Sequence, residues 1–118
     1  MYTLSLTEDE LLYILVLYGV TEDEKFRDYG LSPTNTTAER LKKGEESLRK
    51  REIVTGEEGV PYLNDEATAL VGTTVVNTAK DHEYLDEETG LSVRFVHEGG
   101  MYLFKGMLQD VDPETSSG

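Results

Sequence analysis

The sequence contains no cysteine, which excludes a disulfide framework and a thiol nucleophile. Histidine is nearly as scarce: only His82 and His97 occur, and neither lies in an H-E-x-x-H or Cys-His spacing of the kind that gathers metal ligands. Long apolar runs are missing too. The longest, Leu11 to Tyr18, falls far short of the roughly 20 residues a membrane-spanning helix needs, so no membrane partner is expected. The residues after Met1 are polar and acidic, with no basic start and no small-residue cleavage site, which sets the expectation of no secretory signal and a cytoplasmic location. Positive charge is also in short supply, with 11 Lys and Arg against 24 Asp and Glu and a net charge of −13. A field of that sign repels nucleic acid and anionic lipid at long range and favours a basic partner.

Catalytic signatures are equally thin. No serine sits in G-x-S-x-G, and no glycine loop follows a strand and opens a helix to cradle phosphate. Asp86-Glu87-Glu88-Thr89-Gly90 lacks the alternating oxygen ligands of a calcium loop and reads as an acidic turn. With 24 acids in 118 residues, close carboxylate pairs arise everywhere and single out none. The expectation is therefore a non-enzymatic protein with no catalytic, cofactor-binding or metal-binding residues.

What positive charge exists is concentrated. Arg40, Lys42, Lys43, Arg49, Lys50 and Arg51 fall between positions 40 and 51 beside two acids, so this stretch carries +4 and the rest of the chain −17. It reads as one helix beginning at Thr36 or Thr37. Ala38, Leu41, Glu45 and Leu48 share its inward face, with Gly44 beside them as a place where another backbone can approach. Upstream, Thr7-Glu8-Asp9-Glu10 has the spacing of a capping box and predicts a helix burying Leu11, Leu12, Ile14, Leu15 and Leu17, with Gly19 as its left-handed cap. Thr21 to Glu24 repeats that spacing and predicts a short second helix burying Phe26 and Tyr29. After the basic helix, Ile53 to Thr55 and Val60 to Leu63 flank a glycine-bounded turn and predict a hairpin wing.

Asn64 predicts the cap of a fourth helix over 65–77, with Ala67, Leu70, Val71, Thr74 and Val75 as its buried stripe. His82 to Asp86, Leu91 to His97 and Met101 to Leu108 alternate and are separated by turn residues, which predicts an antiparallel three-stranded meander over 82–108. Tyr2, Leu4 and Leu6 also alternate, as in a short strand or an extended lead-in. The expected fold is α+β: one domain over 1–110, with a winged-helix-like half over 4–63 followed by a helix and the meander, and a mobile tail over 111–118. Leu11, Ile14, Leu15, Leu41, Leu48, Ile53, Leu70, Phe95 and Phe104 are the expected core.

Two functions compete for the basic helix. A winged-helix DNA-binding transcriptional regulator would present Arg40, Lys43, Arg49 and Lys50 to a duplex. The overall charge and the acids Glu57 and Glu58 at the wing tip argue against nucleic acid, because DNA affinity is mainly phosphate neutralisation. The residues Thr37-Ala38-Glu39-Arg40, Gly44, Ser47-Leu48 and Arg49-Lys50-Arg51-Glu52-Ile53-Val54, with Leu6-Thr7-Glu8-Asp9-Glu10-Leu11 upstream, point elsewhere. Over about positions 4–75 the chain resembles the amino-terminal region of the EspG-like proteins of type VII (ESX) secretion. There an Ala-Glu-Arg start and a Leu-x-x-Arg-Gly-Leu-Val end frame the corresponding helix, and Glu52 stands where that pattern has Gly. The resemblance implies a cytosolic chaperone or targeting factor that holds a helical secretion substrate and delivers it to the export machinery, and it carries over no individual binding residue.

Alternation sends Tyr102, Phe104 and Leu108 to one side of the last strand and Met101, Leu103 and Met107 to the other, so one helix layer cannot cover both. The expected protein-binding residues are Met101, Leu103, Met107, Val93 and Phe95, and the expected partner is a helical secretion substrate or its toxin. A second copy of the chain is the competing occupant of the open face.

Overall fold

The computed structural model describes residues 2–32, 34, 36–57, 59–72, 74–75, 83–86 and 90–108. His82, Glu58, Glu87, Glu88, the end of the expected fourth helix and the tail 111–118 lie outside the described residues. The chain is α+β, with its helices on one face of an antiparallel sheet.

Helix α1 spans Glu8–Leu17 and starts as its capping box dictates. The Thr7 N–H donates to Glu10 Oε1 at 2.9 Å, and the Glu10 N–H donates to Thr7 Oγ1 at 3.3 Å. Leu11, Leu12, Ile14 and Leu15 are fully buried and Leu17 is half-buried. These residues form one broad buried face, with Val16 left exposed, and α1 packs with the sheet on one side and α3 on the other. Gly19 ends the turn at φ +74°, in the left-handed region.

Helix α2 spans Asp23–Asp28. The capping box expected at Thr21 does not form: Glu22 takes the N-cap without a side-chain hydrogen bond. What anchors this short helix is burial of Phe26 and Tyr29, and Lys25 Nζ donating to the Val75 carbonyl at 3.0 Å.

Helix α3 spans Ala38–Lys50, with Thr37 Oγ1 accepting from the Arg40 N–H. Its contact stripe is rotated from the expected face. Gly44 and Leu48 are buried, Leu41 and Glu45 are half-buried, and Ala38 is exposed. The rotation follows from Gly44, which lets α3 settle directly on the Asp9 carbonyl and the Tyr13 side chain of α1, where any Cβ would overlap them. The helix ends with the Ile53 N–H on the Leu48 carbonyl at 2.9 Å and Glu52 at φ +61°, turning the chain into β2 (Val54–Thr55), which pairs with β3 (Tyr62–Leu63). The hairpin is shorter than expected: Val60 lies outside it and is 70% exposed, so it has no core to join.

Helix α4 begins at Asp65–Ala67 with Asn64 Oδ1 accepting from the Ala67 N–H at 2.7 Å, then widens to a π-helical turn over Thr68–Gly72. Ala67, Leu70, Val71, Thr74 and Val75 are buried as the stripe predicts.

The sheet has four strands where three were expected. Strands β4 (Glu83–Asp86), β5 (Leu91–Glu98) and β6 (Met101–Leu108) form the meander, and β1 (Tyr2–Leu6) joins it antiparallel to β6, giving the order β1-β6-β5-β4. The pairing sets Leu4 against Phe104 and Leu6 against Tyr102, so β1 extends the apolar inner face by two buried leucines. That face holds Val93, Phe95, Tyr102 and Phe104, with Tyr29 edge-on to Phe95 at 4.9 Å between ring centroids. Of the expected core residues, only Leu41 is not fully buried.

Candidate functional site

The basic helix was one candidate surface, and its arginines turn inward. Arg40 Nη1 lies 3.0 Å from Glu8 Oε2, and its Nε lies 3.8 Å from Asp9 Oδ1. Arg49 pairs with Glu45 at 3.0 Å and donates from Nη1 to the Gly56 carbonyl at 2.8 Å, pinning the β2–β3 hairpin to α3. Arg51 donates from Nη1 to Glu10 Oε1 and from Nη2 to the Ser5 carbonyl, both at 2.8 Å. Glu10 is 1% exposed and also accepts from Ser47 Oγ and the Thr7 N–H. One buried carboxylate thus ties the start of α1 to the end of α3, and through Arg51 to strand β1, with both of its oxygens hydrogen-bonded. Of the DNA-binding candidates, Lys43 and Lys50 remain exposed, while Arg40 and Arg49 are held in ion pairs. Lys43, Glu46, Ser47, Arg49 and Lys50 line a shallow open groove on the outer side of α3.

The outer face of the sheet is the second candidate. Continuous register between β5 and β6, with no bulge, places Met101, Leu103, Lys105 and Met107 on it beside Ser92, Arg94, Val96 and Glu98, and Leu85 of β4 stands opposite Ser92. Met107 and Leu85 are about half exposed, at 51% and 49%, and Met101, Leu103 and Val96 are partly exposed. Among the described residues every helix that packs on the sheet does so from the other side. Comparison with protein-family models, curated proteins and solved structures returned no match. The functional reading therefore rests on these two surfaces.

Met101, Leu103 and Met107 come together as expected. Val93 and Phe95 do not join them: at 1% and 7% exposure they point inward, because in a strand neighbouring side chains alternate and Arg94 takes the outer position between them. Leu108 shares the inner side with Phe104 but is 54% exposed at the strand end. Lys105, in the middle of the outer face, was not singled out from sequence, although the alternation that placed Leu103 and Met107 places it as well. His97 is exposed and stacks on Tyr102 at 4.2 Å and 8°. Among the described residues no group of three His, Asp or Glu side chains is placed to hold a metal.

Two phenols are perturbed. Burial, reinforced by Glu45, pushes the Tyr13 pKa up, and burial, reinforced by Glu8, does the same at Tyr102. Both are packing effects at the α1 interfaces and form no acid–base pair.

Proposed function

We propose that the protein is a non-enzymatic targeting adaptor, or chaperone, that binds an amphipathic helix of a partner protein on the outer face of its four-stranded sheet. The observation that carries this is the apolar set Met101, Leu103, Met107, Val96 and Leu85 on a face that no described helix covers. Methionine and leucine side chains adapt to varied apolar surfaces, which suits a chaperone. The helix–helix–helix–hairpin order, winged-helix-like in sequence, serves in this reading as a scaffold that buttresses the sheet from behind. No described helix is long and apolar enough to cross a membrane, and we place the adaptor in the cytoplasm. The helical partner is a type VII secretion substrate or its toxin; this step is supported by the resemblance around α3 alone.

The competing reading, a winged-helix regulator, is weakened by the internal use of Arg40, Arg49 and Arg51. Phosphate neutralisation by the exposed Lys43 and Lys50 is small against a net charge of −13. Co-expression with proteins encoded beside its gene, followed by size-exclusion chromatography, tests the adaptor. A neighbour-encoded helical protein should co-elute and should be released by Leu103→Glu with Met107→Glu. If none co-elutes, or if the double variant retains every partner, the reading fails. Sub-micromolar duplex binding at ~100 mM salt, where the Debye length is about 10 Å, would restore the regulator.

A further inference from the structure

The outer sheet face is not uniformly apolar. Along β6 it runs Leu103, Lys105, Met107, and the row through Lys105 continues to Arg94 on β5 and Thr3 on β1. Arg94 stands in register with Glu83 on β4, whereas Lys105 is exposed and has no acidic partner among the described residues. A chain of net charge −13 thus sets a cation, unpaired among the described residues, between Leu103 and Met107 on the open face.

Building on the adaptor reading, we propose that Lys105 is a specificity determinant, and that the face selects an amphipathic helix from another protein carrying an acidic residue midway between two apolar ones. Geometry sets the spacing. From Leu103 to Met107 is four residues of strand, about 13 Å. Eight residues of α-helix span about 12 Å. A helix lying along β6 therefore offers apolar residues at positions i and i+8 to Leu103 and Met107, and a carboxylate at i+4 to Lys105. Flanking apolar contact excludes water from the ion pair and strengthens it, while a lysine at the same place is repelled. A second copy of this chain is the poorer occupant. A two-fold pairing of the open faces would have to overcome the repulsion between two chains of −13 each.

The test uses two synthetic helical peptides in an Ala/Gln background, one with Leu-x3-Glu-x3-Leu and one with Lys in place of the Glu, titrated into the full chain at ~100 mM salt with anisotropy as readout. The Glu peptide should bind about tenfold more tightly. Lys105→Glu should invert the preference, and Leu103→Glu should weaken both peptides. Circular dichroism checks that the variants fold; should Leu103→Glu not fold, Lys105→Glu, at an exposed position, carries the result. Equal affinities, or a preference that Lys105→Glu leaves intact, overturn charge selection while the adaptor reading stands. If neither peptide binds, the proposal is overturned, and the adaptor falls with it only if no neighbour-encoded helical protein co-elutes either. Sedimentation that shows a dimer dissolved by Lys105→Glu overturns the proposal in favour of a second copy.

Discussion

Glu52 is the one described non-glycine residue at positive φ, held at +61° where α3 ends and the chain reverses into β2. Its neighbours leave it no alternative: the Ile53 N–H is fixed on Leu48, and Asn64 Nδ2 donates to the Glu52 carbonyl at 3.0 Å. A Cβ in the left-handed region costs about 1–2 kcal/mol, partly offset by the extra freedom glycine has in the unfolded chain. Glu52→Gly should therefore stabilise the protein by about 0.5–1 kcal/mol, read as a higher urea midpoint. Gly44 presents the opposite case. A Cβ there meets the Asp9 backbone carbonyl, which cannot move without shifting α1, whereas one at Gly106 meets the end of the flexible Leu70 side chain. Gly44→Ala should cost about 2–3 kcal/mol and Gly106→Ala clearly less. Equal costs would mean that α1 and α3 do not touch at Gly44.

At the scale of elements, the decisive piece is β1. In an antiparallel ladder, successive residues turn their backbone groups alternately toward the neighbour and away from it. The Ser5 carbonyl is taken by Arg51, so Thr3 and Ser5 face the free edge while Leu4 and Leu6 face β6. Amide exchange should be slow at Leu4 and Leu6 and fast at Thr3 and Ser5; uniform exchange over the strand would mean that it is not docked. Arg51 also blunts that edge against pairing with other chains. Arg51→Ala should cost about 2 kcal/mol, less than a fully buried pair loses because Arg51 is 37% exposed. The same variant should speed exchange along β1, which a local surface effect would not do.

Across the whole molecule, α1 is the shared layer: it packs against β1 and β6 on one side and α3 on the other, and of the two perturbed tyrosines Tyr13 belongs to it and Tyr102 lies on β6 against it. Burial raises the pKa of each above the ordinary range of a tyrosine, so the fold favours the neutral phenol. That contribution is fully present below the unfolded pKa and is lost as pH rises through the folded values. The urea midpoint should accordingly fall as pH rises through and beyond the ordinary tyrosine range near pH ~10, with Tyr13→Phe and Tyr102→Phe each flattening the fall. If neither variant changes the slope, the alkaline loss originates elsewhere.

Local chemistry settled most of the elements. The caps at Thr7, Thr37 and Asn64, the buried stripe of α4 and the alternation of β5 and β6 are each decided by residues within a turn or two of one another, and such short-range patterns are legible in a chain. The cap expected at Thr21 does not form, and the short helix is held instead by burial of Phe26 and Tyr29, which depends on distant strands. The side of the sheet that lies open, the inward position of Val93 and Phe95, and the pairing of β1 with β6 across nearly the whole chain depend on which surfaces meet. So does the fate of the basic helix. Composition shows a block of six positive charges; only tertiary packing brings Glu8, Asp9 and Glu10 within reach of Arg40 and Arg51, and sets Lys105 on the open face with no acidic partner among the described residues.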